Sequence, residues 1–409
     1  GSQNVAVGAF ALDANTTASN NTAFGYAALT ANTTGTQNVA VGANALDAAD
    51  TNNNTAVGFE AMTNSTASEC VAVGSRALKA HTSGARNSAL GSEAATAVTT
   101  ADDITAIGRS SLAACTTGSS NTALGSKSLM ANTTGGSNVA VGANALNANT
   151  TANNNTAVGY QSLLSNTTGN NNLAMGREAM SVNTTGDNNT AIGSQALDAN
   201  TTADNNTAVG RSALGANTTG TSNTAVGKGC LDANTTANNN TGVGQSALSG
   251  NTTGASNTAM GSGALENNTT ASNNTAFGNF ALGVNTTGAN NVAVGPGALD
   301  ANTTGSSNNA LGVDALGAAT TADANNAFGR RALNSCTTGG GNSAFGHDSG
   351  KEITTGSNNV LLGSDAGRSS SPSGSITTGS NNVVLGNNNI SDAFIKVAFT
   401  VTSDQRDKI

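Results

Sequence analysis

Apolar and small residues recur along this chain with a fixed beat. A short word of the form Thr/Val–Ala–apolar is closed by a glycine at Gly8, Gly25, Gly42, Gly58, Gly74 and Gly91, and onward to Gly159, Gly176, Gly193, Gly363 and Gly386. Of the 22 intervals between these glycines, 19 share a 17-residue length, two are one residue shorter (ending at Gly58 and Gly74) and the last is six longer. Take the glycine as position 0. Position −1 is Val, Ile, Leu, Met or Phe throughout, as in Val7, Phe24, Val158 and Met175; position −2 is Ala in nearly every unit, and −3 is mostly Thr or Val. Neighbours in a strand point to opposite faces, so one face carries the large apolar groups and the other carries Ala. A strand with no polar face is covered on both sides. A thin coil has only one interior, so the second face needs a partner, and a copy of the same chain is the economical one. Position +4 is Leu or Met in most units (Leu12, Leu29, Met62, Leu163) and +5 takes acids (Asp13, Asp47, Asp198, Asp232, Glu266, Asp300), which turns +4 inward and +5 outward. A 17-residue unit is too short for a helix pair or a propeller blade. The pattern predicts an all-β fold, a parallel β-solenoid (β-roll) of about 23 coils, each with two short strands and two turns. At about 4.8 Å per coil such a stack is on the order of 110 Å long.

Two columns of Asn are read through their exceptions. Position +7 is usually Asn (Asn15, Asn132, Asn166, Asn183, Asn200), and its replacements include His81, Val98, Cys115, Ala319, Cys336 and Ile353. Position −4 is also Asn (Asn155, Asn189), with Cys70 and Ile104 as replacements. Apolar substitutes mean that the site faces inward. Two buried Asn ladders are expected, each amide bonded to the next coil and to turn backbone. Most bases, and most aromatics outside the −1 column, cluster at +1 and +2, the variable exposed corner. Tyr26, Phe59, Tyr160, Arg177 and Arg211 are therefore the candidate surface contacts.

Composition narrows the functions. Only 9% of residues are charged and 3% aromatic, with two Pro and no Trp, and 51 of the 409 residues are Gly. Disorder usually brings high charge and many Pro, so the repeat architecture stands. A net charge of −8 gives no basic footprint for nucleic acid. No apolar run reaches the ~18 residues that mark a membrane helix, so no membrane insertion is expected. Cys70, Cys115, Cys230 and Cys336 fit neither a zinc spacing nor a compact disulfide framework and read as packed free thiols. His81 has no second ligand nearby and His347 reads as exposed, so no metal and no cofactor are expected. The +5 carboxylates sit a coil or more apart on an open wall, which argues against hydrolytic chemistry. With 23 acids for about 23 coils, solenoid-type calcium binding is not supported. Repeated Asn-Thr-Thr matches the glycosylation sequon but reads as turn and ladder chemistry. The paired Thr at +8 and +9 raises ice binding as an alternative; adjacent Thr point opposite ways in a strand, so only one of each pair could join a flat array.

The opening GSQNVAVG matches GTQNVAVG at 35–42 in register, so the chain is expected to begin inside a repeat. The rhythm defines a β-roll over 1–366, a Ser/Gly-rich loop over 367–380, a final coil and β transition segment over 381–402, and a charged end, SDQRDKI, over 403–409.

The recurring NTAVG word with its small–Leu follow-up, over residues 1–386, resembles the head repeats of trimeric autotransporter adhesins, whose word is Asn-Ser-apolar-Ala-apolar-Gly. The 17-residue unit of this chain is longer than that family's usual one. The resemblance implies a left-handed parallel β-roll in a tight homotrimer that binds host surface molecules. SDQRDK resembles the start of the intramolecular chaperone domain that ends phage and algal-virus tail spikes and fibres, which trimerises and then cuts itself off. It implies Ser403 as nucleophile, Lys408 as its activating base and Thr402–Ser403 as the cut. Together the resemblances imply a tail fibre or spike shaft on a virion. Its partners would be its own copies, other fibre or virion proteins, and a cell-surface receptor or glycan at the distal end. It would be no enzyme beyond one self-cleavage. A bacterial surface adhesin is the alternative.

Overall fold

The structure, a computed structural model, describes residues 1–391. Ser403, Lys408 and the Thr402–Ser403 bond lie outside the described residues. Every word forms a three-residue strand, and each strand pairs in parallel with the strand one repeat away. The fold is an all-β parallel β-solenoid built on a 17-residue repeat, without a helix among the described residues. Two compact units are present. The first, Gly1–Asn290, holds strands β1 (Val5–Val7) to β17 (Thr275–Phe277); the second begins at Asn291 and holds β18 (Val292–Val294) to β23 (Val383–Leu385). The register never slips within either unit: Thr156, Ala157 and Val158 lie beside Leu173, Ala174 and Met175.

Each coil has one strand, where the sequence pattern suggested two. The stretch after the glycine is a run of turns, because positions +2 and +4 take left-handed backbone. Phe10 has φ 62° and Leu12 φ 53°, and the conformation recurs at Ala27 and Leu29 and at Gln161 and Leu163. A left-handed residue with a Cβ costs about 1–2 kcal/mol. At +4 the residue is a fully buried Leu in most coils (Leu29, Leu46 and Leu163 are all 0% exposed), and burying Leu returns about 1.5–3 kcal/mol. The strained corner is therefore sustained by what it turns inward. The turns remain bonded between coils, for example Leu29 N–H to Ala45 O at 3.0 Å and Thr116 N–H to Thr133 O at 2.9 Å.

The interior is narrow and built of columns. Ala at −2, a small residue at +3, Leu or Met at +4 and Asn at −4 and +7 are buried in coil after coil. Both Asn columns are hydrogen-bonded. At +7, the Asn149, Asn166, Asn183 and Asn200 amides donate to Oδ1 of Asn132, Asn149, Asn166 and Asn183 at 2.8–3.1 Å. At −4, Asn155 donates to Gly169 O at 2.8 Å, and its Oδ1 accepts the Asn172 N–H at 2.9 Å. Asn189 donates to Ala203 O at 2.8 Å. Asn15, in the first coil, is only partly buried, and its Oδ1 accepts the Ala18 N–H.

Two departures from the column rule are compensated by a neighbour. Cys230 stands at +3 and Gly242 at the facing −2, where a Cβ would come 2.5 Å from Cys230 Sγ. Gly242→Ala should lower stability by about 1–3 kcal/mol through overpacking. The double change Cys230→Ala/Gly242→Ala restores the pairing of neighbouring coils and should recover that loss in a denaturant titration. Additive losses in the double variant would contradict this account. Near the end of the roll Gly350 and Gly367 replace the +4 Leu while Leu361 replaces the −2 Ala. Leu361 fills the vacated volume: a Cβ on Gly367 would collide with its Cδ2.

His81 is a buried break in the +7 ladder. Asn87 Nδ2 lies 2.9 Å from His81 Nε2 and also donates to Ala101 O. Nε2 must then accept, which leaves the proton on Nδ1, 3.0 Å from Ser65 Oγ. Burial lowers the imidazole pKa below its ordinary 6.5. A depressed folded pKa means that the stability His81 lends is complete above pH 6.5 and is lost as pH falls through the folded value. The protection factors of amides in the coils around His81, corrected for the intrinsic exchange rate, should fall on acidification to pH 5, and His81→Asn should remove that dependence. An unchanged pH profile in the variant would refute it. All four cysteines are free and buried; burial pushes the Cys230 thiol up to about 12 and the Cys336 thiol up to about 11, so neither is a nucleophile.

Candidate functional site

Three outward features of the coil can meet another molecule. The first is the strand's outer face. Ala at −2 points in, so −1 and −3 point out, and the −1 column is a file of apolar side chains. Phe24, Leu90, Leu124, Met175 and Met260 are all more than 40% exposed. Thr at −3 runs beside them, half-buried at Thr156, Thr190 and Thr207. The relief is uneven, from Val158 to Phe24, and in the second unit Phe328 and Phe345 stack with centroids 4.9 Å apart.

The second feature is the corner at +1 and +2. Successive coils are bonded there, as in Asn44 N–H to Tyr26 O at 2.9 Å and Glu60 N–H to Ala43 O at 3.0 Å, so the corner forms two columns that run from coil to coil. The candidates Tyr26, Phe59, Tyr160, Arg177 and Arg211 are all exposed. They do not converge on one site. Tyr26 and Phe59 lie two coils apart near the start of the chain, Tyr160 and Arg177 occupy adjacent coils much further along, and Arg211 is two coils beyond Arg177. Arg177 meets its own neighbour Glu178 at 3.4 Å.

The third feature is charged. Asp348 is 3% exposed and is surrounded by Arg331 (2.9 Å), Arg368 (3.1 Å) and Lys351 (3.7 Å). With His347 and Asp365 it makes a group whose ligand atoms all lie within 4.8 Å. Three cationic side chains already neutralise Asp348, so the group reads as an ion-pair clamp and does not suit a metal ion. The clamp also holds the 367–380 insertion: Arg368 reaches Glu352 at 3.4 Å, Ser375 donates to Glu352, and Ile376 N–H donates to Gly367 O at 2.9 Å. In the +5 column, Asp198, Asp232 and Asp300 have their carboxyl pKa values raised by partial burial. The intervening coils carry Gly215, Ser249 or Gly283 there, and Glu266 lies between Asp232 and Asp300, so these acids are spaced singly.

Two further ladders escaped the sequence reading. At −6, a side-chain oxygen accepts the backbone N–H one coil earlier: Asn153 from Gly136, Asn170 from Asn153, Asp187 from Asn170 and Asp204 from Asp187, at 2.5–2.8 Å. Its residues are a mixture of Asn, Asp, Ser, Thr, Gly and Ala, which looks like variable turn sequence. At +8, Thr hydroxyls along the stack donate to the next +8 carbonyl, as Thr116 Oγ1 does to Thr133 O at 3.1 Å. That hydroxyl is therefore occupied, and only the +9 Thr faces outward. In the first 16-residue interval Asp50 replaces the +8 Thr. Its Oδ1 accepts the N–H groups of Thr33, Thr34 and Gly35 at 2.6–3.0 Å. The Thr33 hydroxyl and these amides hold its pKa far below the usual carboxylate range.

No protein-family model matches this chain, and no curated protein matches it either.

Proposed function

We propose that this chain is the shaft of an attachment fibre, a left-handed β-roll that assembles as a homotrimer through its outer strand face and presents its exposed corner to a cell-surface receptor or glycan. The observation that carries the reading is the continuous outward apolar column at −1. Completing the burial of one half-exposed Val, Leu or Met is worth about 1 kcal/mol, half of the ~1.5–3 kcal/mol for full burial. In the first unit seven of these side chains are exposed and the other ten are partly buried, so the exposed ones alone contribute about 7 kcal/mol, the same order as an association cost of about 4–15 kcal/mol. A face of this size left in water would be an aggregation hazard. The uneven relief of the column suits an interdigitated protein interface better than a flat ice lattice. A virion tail fibre and a bacterial surface adhesin share this architecture. A complete chaperone encoded after Ile409 supports the first; a membrane-anchor barrel supports the second.

Multi-angle light scattering on the full chain tests assembly. The expected molar mass is three times the 39.5 kDa of one chain. A monodisperse monomer would overturn the fibre reading.

A further inference from the structure

The aromatic side chains are few, nine Phe and two Tyr in 409 residues, yet three of them share one exposed corner within the first four coils. Phe10, Tyr26 and Phe59 are 57%, 56% and 46% exposed. Phe10 and Tyr26 stand perpendicular, 88° between planes with centroids 5.7 Å apart, so one ring braces the other. Tyr26 and Phe59 hold the same +1 position in the second and fourth coils, and Ala43 holds it in the third. The bonded corner columns relate these coils by translation, which separates the two ring positions by about 9.6 Å, twice the strand spacing. Beside the Ala43 notch, the Asn44 side-chain amide has no partner among the described residues. Glu60, next to Phe59, is held by Lys79 at 2.6 Å and Arg76 at 3.2 Å.

We infer that Tyr26 and Phe59, with Phe10 as brace, form a stacking platform for an extended β-1,4-linked pyranose chain. The electron-rich face of an aromatic ring attracts partly positive edges and C–H groups, and the C–H face of an equatorially substituted pyranose presents a sheet of them. Aromatic residues at one coil position, repeated two coils apart, suit a ligand that shows the same face again after the same translation. A β-1,4-linked chain is a flat ribbon whose alternate sugars do so, with a repeat of one disaccharide. An α-1,4-linked chain coils and turns its next face away. The Ala43 notch leaves room for the intervening sugar, and the free Asn44 amide and the Glu60–Arg76 pair offer its hydroxyls donors and acceptors. The inference rests on reading the chain as an attachment protein and names the chemistry that its corner takes.

Isothermal titration calorimetry of the full chain with cellohexaose, chitohexaose and maltohexaose tests it. At least one β-linked hexasaccharide should bind at millimolar concentration or below, and maltohexaose should not. Tyr26→Ala and Phe59→Ala should each weaken binding by about tenfold; Val313→Ala, at the same coil position in the second unit, should not. These are surface changes, and unchanged denaturation midpoints would confirm that the variants fold. Absence of binding by both β-linked probes, equal binding of maltohexaose, or binding that survives loss of both rings would each overturn the inference. Light scattering on the same samples keeps the two proposals apart. A trimer indifferent to sugars overturns the platform alone, and a monomer that binds them overturns the assembly alone.

Discussion

Replacing Gly159 by Ala should split the first unit's stack at its middle. Gly159 sits at φ +133°, and a Cβ there would lie 2.5 Å from Gly176 O and 2.7 Å from its carbonyl carbon. That obstacle is the backbone of the adjacent coil, which no rotamer change can move aside. The same approach recurs at Gly8, Gly25, Gly176 and Gly193, with φ between +132° and +141°. A loss of more than about 4 kcal/mol is expected, the range of severe backbone and packing lesions. Because a solenoid is held by nearest-neighbour contacts, hydrogen exchange should rise first in the coils flanking residue 159. Gly215→Ala is the matched control. Its φ is not left-handed, its nearest neighbours would be Ser212 O at 3.4 Å and Asp198 Oδ1 at 3.5 Å, and it should be neutral or stabilising by up to about 1 kcal/mol. Identical denaturation midpoints for the two variants would refute the close-approach argument.

Charging the outer column should dissolve the assembly without unfolding the coil. Val141→Lys, Met175→Lys and Val209→Lys lie on alternate coils at −1, so the added charges sit about 9.6 Å apart within a chain. The outward positions leave the Ala, Leu and Asn columns untouched. Across a packed interface the same three charges, repeated in every copy, would be buried without partners, at several kcal/mol each. The triple variant should scatter as one 39.5 kDa chain while its β circular dichroism persists. A triple variant that keeps the parent's multimeric mass would place the interface elsewhere on the coil.

The inward columns were legible because their exceptions betrayed them. Val98, Cys115 and Ile353 at +7 could only replace an interior residue, and the alternation of Ala with larger apolar groups fixed the strand. The turn geometry was not legible. Leu at +4 is a poor left-handed residue, and nothing in its identity announces the φ of 50° that Leu78 and Leu146 adopt; the conformation is imposed by the coil that buries the side chain. The −6 ladder was hidden for the opposite reason, since any short side chain with an acceptor oxygen serves and its column never settles on one residue. The exposed corner was found by its variability, but variability could not say which of its residues stand together. That Phe10 and Tyr26 meet, and that Tyr160 lies far along the stack from both, follows from counting coils once the register is fixed.

The two 16-residue intervals also solve a difficulty peculiar to so repetitive a chain. When every coil resembles the next, a thread misplaced by one whole turn loses almost nothing, and copies lying side by side could align with a frame-shift between them. The shortened turns break that degeneracy. In register, Asp50 takes the amides of Thr33, Thr34 and Gly35 and the large His81 lies against the small Ser65 and Asn87, whereas a shift of one turn sets the short coils against 17-residue ones. They act as an index mark on an otherwise uniform ruler, giving the chain one place from which its turns are counted.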